Sequence, residues 1–394
     1  MSPALPTAKP EDVGLSQAAL DRLSAVLEER VAAGHIPGAV ALVARHGKVA
    51  FHQGFGRRNP AADQPMGKDA IFRIYSMTKP IVSVAVMMLW EEGHLLLGDP
   101  IGKYIPAFGR TKVGNAAGDG DGLAEPRNPI TVQDLLRHTS GLTYEFLGDT
   151  PVHQAYTRAR VARRKQTNAD QAETLAALPL LHQPGTVWEY SRSTDVLGRL
   201  VEVVSGQSLG AFLSDRILAP LGMEDSGFAV PTAQHDRIAE PFAKDPETGT
   251  DVALLDISRP VMFESGGGGM VATTMDYARF LGMLLGNGRL GSTRLLGRKT
   301  VELMTADHLG GIIGSADLLP PGHGFGLGFA VRTQPGMAPF PGSVGTYYWG
   351  GAAGTTFWVD PAERLYAVLM IQAPLQREYY RVLFRDLVYA AITD

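Results

Sequence analysis

The segment FRIYSMTKPIVSVAVMMLWEEG, residues 72–93, places a serine three residues before a lysine and then turns into an apolar run. If a helix begins here, its period puts Ser76 and Lys79 one turn apart on the same face, so that their side chains can meet. Pro80 falls early in this helix, where a proline is tolerated. The N-terminus supplies free N–H groups and the positive end of the helix dipole near Ser76. This environment would stabilise an alkoxide or an oxyanion.

A lysine at the mouth of an apolar helix loses hydration, which lowers its pKa, and a neutral lysine can accept a serine proton. The spacing of Ser76 and Lys79 therefore fits an activated nucleophile. The simpler interpretation is that Ser76 caps the helix while Lys79 extends to solvent. The chain contains the S-x-x-K pattern once, and this pattern alone does not decide between the two interpretations.

The composition is that of a globular protein with ample material for a core, since 45% of residues are hydrophobic and 19% are charged. A length of 394 residues exceeds what one compact core usually takes, which favours two subdomains. The net charge of −4 gives no basic field for nucleic acid or acidic lipid. Because there is no cysteine, disulfides, thiol catalysis and cysteine–metal sites are excluded.

The N-terminus, MSPALPTAKPEDVGLSQ, lacks the basic and apolar regions of a secretory signal. The longest apolar run, at 81–90, is too short to span a bilayer. These features predict a cytoplasmic protein with no membrane partner, although a removed signal would leave no trace. A small molecule is the expected substrate, and the sequence does not reveal the oligomeric state.

Hydrophobic periodicity predicts a sheet built from both ends of the chain. Residues 15–34 have helical spacing with Ser16 as N-cap, and 38–56 read as a hairpin that turns at His46 and Gly47. Residues 324–373 resemble a meander closed by a final helix. We therefore predict an α/β subdomain from 1–85 and 265–394, a helical subdomain from 86–264, and a site between them at the Ser76 helix.

Six motifs occur in order along the chain and are more specific together than any one alone. They are SMTK at 76–79, LLRHTSGL at 135–142, YSRSTDVLG at 190–198, PLGM at 220–223, SGGGGMVATTMDYARF at 265–280 and YWGG at 348–351. This set resembles the serine β-lactamase and penicillin-binding-protein superfamily, and most strongly its family VIII carboxylesterases. The resemblance covers about 15–390. It implies the class C β-lactamase fold, an α/β (α+β) antiparallel sheet flanked by helices with a mainly helical subdomain, and no cofactor.

The resemblance also implies roles for individual residues. Ser76 would be the nucleophile that forms an acyl-enzyme, and Lys79 would act with Tyr190 as a shared base. A nearby ammonium favours a phenolate, and a nearby phenolate favours an ammonium. The two groups are therefore coupled, and the sequence does not say which of them holds the proton. The N–H groups of Ala352 and Ser76 would form the oxyanion hole.

Two positions depart from the pattern of the antibiotic-degrading relatives, which carry K-T-G on the strand beside the site. Here that segment is Trp349-Gly350-Gly351, and the asparagine of their Y-x-N motif is replaced by Arg192. Losing the lysine removes a partner for a substrate carboxylate. The resemblance therefore implies a hydrolase of short-chain neutral esters rather than a β-lactamase.

Small and aromatic residues near this strand are candidates for contact with the substrate. Glycines let the backbone approach a ligand closely. Aromatic rings nearby would form the walls of the acyl or alcohol pocket. The candidates are Gly350, Gly351, Trp349, Tyr348, Tyr144 and Phe146.

Other interpretations remain open at this point. Residues 206–210, GQSLG, match the G-x-S-x-G elbow, but a helical pattern precedes them, so we interpret Gly206 as a helix end and Ser208 as an N-cap. The histidines show no zinc-type spacing, and DGDG at 119–122 lacks the rest of a calcium loop, so no metal is expected. A β-lactamase, a D-alanyl-peptidase, an amidase, an acyltransferase, a Ser-His-Asp hydrolase or a non-catalytic penicillin-recognition module remain alternatives.

Overall fold

An eight-stranded antiparallel sheet forms the centre of the protein. The computed structural model describes residues 5–114, 122–314 and 318–394, so 119–121 of the DGDG stretch lie outside it. The strands of the main sheet and of the two small ladders, in chain order, are β1 (Gly38–Arg45), β2 (Lys48–Asn59), β3 (Gln64–Pro65), β4 (Phe72–Arg73), β5 (Val271–Ala272), β6 (Arg289–Leu290), β7 (Thr293–Arg294), β8 (His323–Phe325), β9 (Ala330–Arg332), β10 (Tyr347–Gly350), β11 (Thr356–Asp360) and β12 (Leu365–Ile371). The sheet order is β3-β2-β1-β12-β11-β10-β9-β8, and β4–β5 and β6–β7 form two small ladders.

Helices cover both faces of the sheet. They also make up most of the regular structure in the part of the chain between the N-terminal and the C-terminal strands. They are α1 (Gln17–Ala32), α2 (Thr78–Glu91), α3 (Val132–Leu136), α4 (Pro151–Ala159), α5 (Asn168–Ala176), α6 (Ser193–Ser205), α7 (Leu209–Leu213), α8 (Ala219–Leu221), α9 (Thr274–Leu285), α10 (Arg298–Met304) and α11 (Arg377–Tyr389). A π-helical turn, Ser214–Leu218, joins α7 to α8. The antiparallel sheet with flanking helices confirms the predicted fold class.

Strands from opposite ends of the chain pair at the middle of the sheet. Strand β1 pairs with β12 from Ala39↔Ile371 to Arg45↔Leu365, and both strands are buried along their whole length. The predicted hairpin is confirmed, because β1 turns into β2 through His46 and Gly47, both with left-handed φ angles of 53° and 76°. The predicted cap of α1 is also confirmed, since the Ser16 side chain accepts from the Ala19 N–H.

The two faces of the sheet bury different helices. One face packs against α1 and α11 through alternate residues of β1 and β12. The opposite face packs against α9 and the larger core that contains α2. Helix α2 is buried from Thr78 to Leu89 and also contacts α6, so it runs through the interior with its N-terminal end at the sheet. This position brings a helix start next to strand ends.

The serine of the G-x-S-x-G match has a structural role. Ser208 accepts from the Ala211 N–H as the N-cap of α7, and Gly206 ends α6 with a left-handed φ of 73°. Both interpretations from the sequence are confirmed. In the described parts of the chain no single helix is long and apolar enough to cross a membrane; α6 together with Leu209–Leu221 passes that test only as a pair bent by 79°.

Candidate active site

The predicted nucleophile lies in a tight turn that leads directly into α2. Residues Tyr75–Met77 form a 3₁₀ turn, and α2 continues from Thr78. Ser76 is partly exposed, whereas the residues that follow it are buried. Tyr75 has a left-handed φ of 44°, which is unusual for a residue with a side chain. The hydroxyl of Ser76 is therefore presented at the surface by a strained turn at the start of a buried helix.

Lys79 is buried and uses all three of its protons. Its side chain is 1% exposed. Nζ donates to Ser76 Oγ at 3.2 Å, to the Tyr144 hydroxyl at 3.0 Å and to the Gly267 carbonyl at 2.6 Å. Lys79 therefore does not extend to solvent, and the structure brings it into direct contact with Ser76.

The charges in this cluster differ from the sequence expectation. Burial lowers the pKa of Lys79, as predicted, but Tyr144 and Tyr190 outweigh it and the net shift is upward. The prediction of a lowered lysine pKa is therefore wrong, because it considered burial without the phenols. Burial raises the pKa of Tyr144 to about 12, even though Lys79 opposes the shift. These two directions favour an ammonium at Lys79 and a neutral phenol at Tyr144.

Tyr190 meets the same lysine with the face of its ring. Lys79 Nζ lies 4.5 Å from the Tyr190 ring centroid, which is within cation–π range. The Tyr190 hydroxyl accepts a 3.2 Å hydrogen bond from Trp349 Nε1. Trp349 belongs to β10, so the sheet and the helical segment meet at this contact. The structure thus brings Ser76, Lys79 and Tyr190 together, with Tyr144 as a fourth member that sequence reasoning assigned only to the pocket wall.

A glycine backbone supports Lys79 from the other side. Asp195 accepts from the Gly267 N–H at 2.9 Å and from Ser265 Oγ at 2.6 Å, which holds the loop that carries the Gly267 carbonyl. A Cβ at Gly267 would lie 3.0 Å from the Tyr144 hydroxyl and from Asp195. The sequence motifs contained Gly267 and Asp195, but nothing in their spacing indicated this contact.

Arg192 is engaged within the protein. Its guanidinium pairs with Glu145 at 2.5 Å and with Asp195 at 3.3 Å, and it lies 4.6 Å from the Tyr144 ring centroid. Its side chain is buried. Arg192 therefore fixes the Tyr144 ring, and its charge is already compensated by two carboxylates.

The predicted oxyanion amide follows β10 closely. Ala352 is exposed in the turn after β10, and no described residue accepts its N–H. A Cβ at Gly351 would lie 2.4 Å from the Ile74 carbonyl oxygen, so glycine at this position lets the strand end approach the Ser76 turn. The β10 end and the Ser76 turn are in contact.

The aromatic residues predicted to form the pocket wall lie in two separate places in the structure. Trp349 packs edge-on against Phe325 and beside Tyr190, with centroids 5.4 and 5.2 Å apart. Phe146 is 67% exposed and stacks on Tyr144 at 4.9 Å. Tyr348 follows the alternation of the strand to the opposite face, where its ring lies 4.5 Å from the Arg385 guanidinium. The structure therefore does not bring Tyr348 to Ser76.

No histidine competes for the role of base next to Ser76 in the described residues. His138 is buried, bonds Ser191 Oγ at 3.1 Å, and has a pKa well below its usual value because of burial and the Lys79 charge. The described residues also contain no group of three His, Asp or Glu side chains arranged to hold a metal ion. The groups that the structure places around Ser76 are the Lys79 ammonium and the side chains of Tyr144 and Tyr190.

Comparisons with known proteins show the family to which the chain belongs. The family model Beta-lactamase matches residues 23–389. Protein Rv1367c of Mycobacterium tuberculosis is 37% identical over 90% of both chains. Esterase EstB of Burkholderia gladioli is 33% identical over 94% of this chain and 95% of EstB. The solved structure of EstCE1, described as a hydrolase with promiscuous acyltransferase activity, has a TM-score of 0.79 at 28% identity and covers 95% of this chain and 99% of its own. The chain therefore belongs to the Beta-lactamase family of serine hydrolases and is a carboxylesterase of the family VIII type.

Proposed function

We propose that the protein hydrolyses small, short-chain neutral esters through an acyl-enzyme on Ser76. The observation that carries this proposal is the 3.2 Å contact between Lys79 Nζ and Ser76 Oγ at the start of a buried helix. Ser76 Oγ attacks the acyl carbon and loses its proton, the ester C–O bond breaks, and the alcohol leaves with a proton. Water then attacks the Ser76 ester and releases the carboxylic acid.

Lys79 and Tyr190 are proposed to act as one proton-transfer unit. The raised pKa of Lys79 favours its ammonium form, which has no lone pair to take the serine proton across the 3.2 Å contact. A phenolate at Tyr190 would be stabilised by the ammonium and by the Trp349 N–H, which donates to the same oxygen. In the proposed step Tyr190 starts as the phenolate, accepts the serine proton and gives it to the departing alkoxide, so that it is a phenolate again for deacylation. Lys79 keeps its charge throughout this step.

The backbone supplies the charge stabilisation for the carbonyl oxygen. The N–H groups of Ala352 and Ser76 are proposed to bind the oxyanion, in line with the free amide and its closeness to the Ser76 turn. A donor of this kind is typically worth about 3 kcal/mol in the transition state.

The proposed preference for neutral esters is based on the side chains that could otherwise pair with a substrate carboxylate. Trp349 offers an apolar ring and one N–H, and this N–H already bonds Tyr190. Arg192 is held by Glu145 and Asp195. A substrate carboxylate would therefore find neither of these side chains free to pair with it, whereas a neutral ester requires no such partner.

The nucleophile can be tested against a second serine in the same chain. Ser76→Ala should abolish hydrolysis of a nitrophenyl butyrate, while Ser208→Ala, at the α7 cap, should retain most of it. Intact-mass and peptide analysis after a fluorophosphonate should place the adduct on Ser76. An adduct on Ser208, or full activity of Ser76→Ala, would overturn the proposal.

A further inference from the structure

We propose that Arg381 is a positioning residue for ester hydrolysis, because it polarises and orients the amide that binds the oxyanion. Its Nη2 donates a 2.6 Å hydrogen bond to the Gly351 carbonyl. This carbonyl and the Ala352 N–H are the two ends of one planar peptide group. The inference rests on the proposed function, which assigns the Ala352 N–H to the oxyanion hole.

The position of the guanidinium depends on the glycine that precedes this peptide. A Cβ at Gly350 would lie 2.6–2.8 Å from Nη2, Cζ and Nε of Arg381. Any larger residue there would displace the guanidinium from β10. The glycine pair of the W-G-G segment thus has two functions: Gly351 admits the Ser76 turn on one side, and Gly350 admits Arg381.

The charge of Arg381 is poorly compensated within the fold. Burial lowers its pKa, and Glu378, 2.8 Å from Nη1, is the carboxylate that opposes the shift. The Glu378 side chain is 71% exposed, so water screens much of its charge. Nε of Arg381 is buried and has no hydrogen-bond partner in the described residues. Tyr190 also interacts electrostatically with this charge, and the direct hydrogen bond that Arg381 makes to the strand end is the one to the Gly351 carbonyl.

A cation bonded to a carbonyl draws electron density through the peptide and makes the N–H at its other end a stronger donor. The bond also fixes the peptide plane, so that the N–H direction is set before substrate arrives. Negative charge grows on the substrate carbonyl oxygen only in the transition state, so a stronger donor gains most there. Loss of Arg381 should therefore lower kcat more than it changes KM.

Helix α11 offers a matched control one turn further on. Arg385 is more deeply buried than Arg381, but its guanidinium lies 4.5 Å from the Phe340 and Tyr348 rings and makes no hydrogen bond to Gly351. The variants are Arg381→Met, Arg381→Lys and Arg385→Met. The measurements are kcat and KM for a nitrophenyl butyrate, the melting temperature, and the infrared carbonyl stretch of a slowly hydrolysed cinnamoyl acyl-enzyme, which reports hydrogen bonding to the acyl oxygen.

Arg381→Met should lower kcat about tenfold, a fraction of the 10²–10³ that loss of a whole oxyanion donor costs. Its acyl carbonyl stretch should move to higher frequency, and Arg381→Lys should recover part of both effects because an ammonium can still donate to Gly351. Arg385→Met should leave the carbonyl frequency unchanged. If Arg381→Met does not fold, Arg381→Lys alone should show a smaller shift in the same direction.

An unchanged carbonyl frequency in the Arg381 variants would overturn the inference, and so would an equal shift in Arg385→Met. Peptide mass analysis of the cinnamoyl adduct separates this failure from failure of the proposed function. If the adduct is on Ser76 and only the Arg381 effects are missing, the inference alone is wrong. If the adduct is on another residue, the proposed function is wrong.

Discussion

Lys79 donates a 3.0 Å hydrogen bond to the hydroxyl of Tyr144, while the face of Tyr190 lies 4.5 Å from the same nitrogen. Two phenols therefore share one ammonium. Their surroundings differ, because Tyr144 lies under Arg192 and has a pKa raised to about 12, whereas the Tyr190 oxygen accepts from Trp349. This asymmetry is the basis for proposing Tyr190 as the proton acceptor and Tyr144 as a supporting group.

Substitution of the two tyrosines separates these roles. Lys79→Ala and Tyr190→Phe should each lower kcat by about 10³, in the range for removal of a general base. The double variant should be little worse than either single one, since the two groups act as a unit. Tyr144→Phe should cost only about tenfold, because it removes one hydrogen bond to Lys79. Steady-state kinetics on one nitrophenyl ester checks all four variants. A loss in Tyr144→Phe as large as that in Tyr190→Phe would transfer the base to Tyr144.

Trp349 determines the prediction for substrate choice. An anionic penicillin finds no lysine at this position and loses a charge-assisted bond worth roughly 1.5–3 kcal/mol. The wild-type kcat/KM for a butyrate ester should therefore exceed that for benzylpenicillin by orders of magnitude. Trp349→Lys should narrow the ratio, and Trp349→Ala should mainly weaken ester binding.

Trp349→Phe is the control for these variants, because it keeps a ring but removes the N–H that bonds Tyr190. It should lower kcat without improving penicillin turnover. Equal efficiency on penicillin and ester in the wild type would show that the protein is a β-lactamase.

Gly267 and its neighbour offer a test of how Lys79 is held. A Cβ at Gly267 would crowd the Tyr144 hydroxyl and Asp195 at 3.0 Å, whereas a Cβ at Gly268 would meet nothing closer than 3.6 Å. Gly267→Ala should therefore lower kcat by about tenfold or more as the Lys79 contacts shift, and Gly268→Ala should leave it nearly unchanged. Similar kinetics for the two alanine variants would mean that the Gly267 carbonyl does not position Lys79.

The raised pKa of Asp276 predicts that the stability of the protein depends on pH, independently of catalysis. Burial raises its pKa to about 6 from 3.8, although Ser226 and the Asp225 N–H oppose the shift. Between these two values the folded state binds more protons than the unfolded state, so the free energy of unfolding falls as pH rises from about 4 to 6. Two pKa units correspond to about 3 kcal/mol at most.

Urea unfolding at pH 4.5 and pH 7 measures this effect. Asp276 should contribute more to the wild-type free energy of unfolding at pH 4.5 than at pH 7. Asp276→Asn should lack this contribution, so that its free energy of unfolding at pH 4.5 relative to pH 7 is lower than that of the wild type by the same amount. Parallel pH curves for the two proteins would show that Asp276 titrates normally.

Patterns in the sequence correctly predicted those caps and turns that depend on contacts between residues close together in the chain. The cap at Ser16, the turn at His46 and Gly47, and the capping role of Ser208 depend on neighbours within a few residues, and all three are confirmed. The contact between Ser76 and Lys79 follows from helical spacing in the same way. These features needed no knowledge of the rest of the fold.

Contacts across the fold escaped the sequence reasoning for a physical reason. The bonds from Lys79 to Tyr144 and Gly267, and from Arg381 to Gly351, join elements whose packing no local period encodes. The error about the Lys79 pKa has the same origin, since burial was visible in the apolar run but the phenols were not. The strand alternation that turns Tyr348 away from Trp349 was, in contrast, readable from the sequence.

The pairing of β1 with β12 has a consequence for how the enzyme comes into being. Ala39 is synthesised long before its partner Ile371. Until β12 is synthesised, β1 therefore lacks one of its two neighbours, and until β10 is synthesised its end cannot contact the Ser76 turn. Folding must wait for a long-range encounter, which is slow compared with local helix formation. A growing chain that ends before β10 thus contains Ser76 and Lys79 but lacks the strand end that contacts their turn.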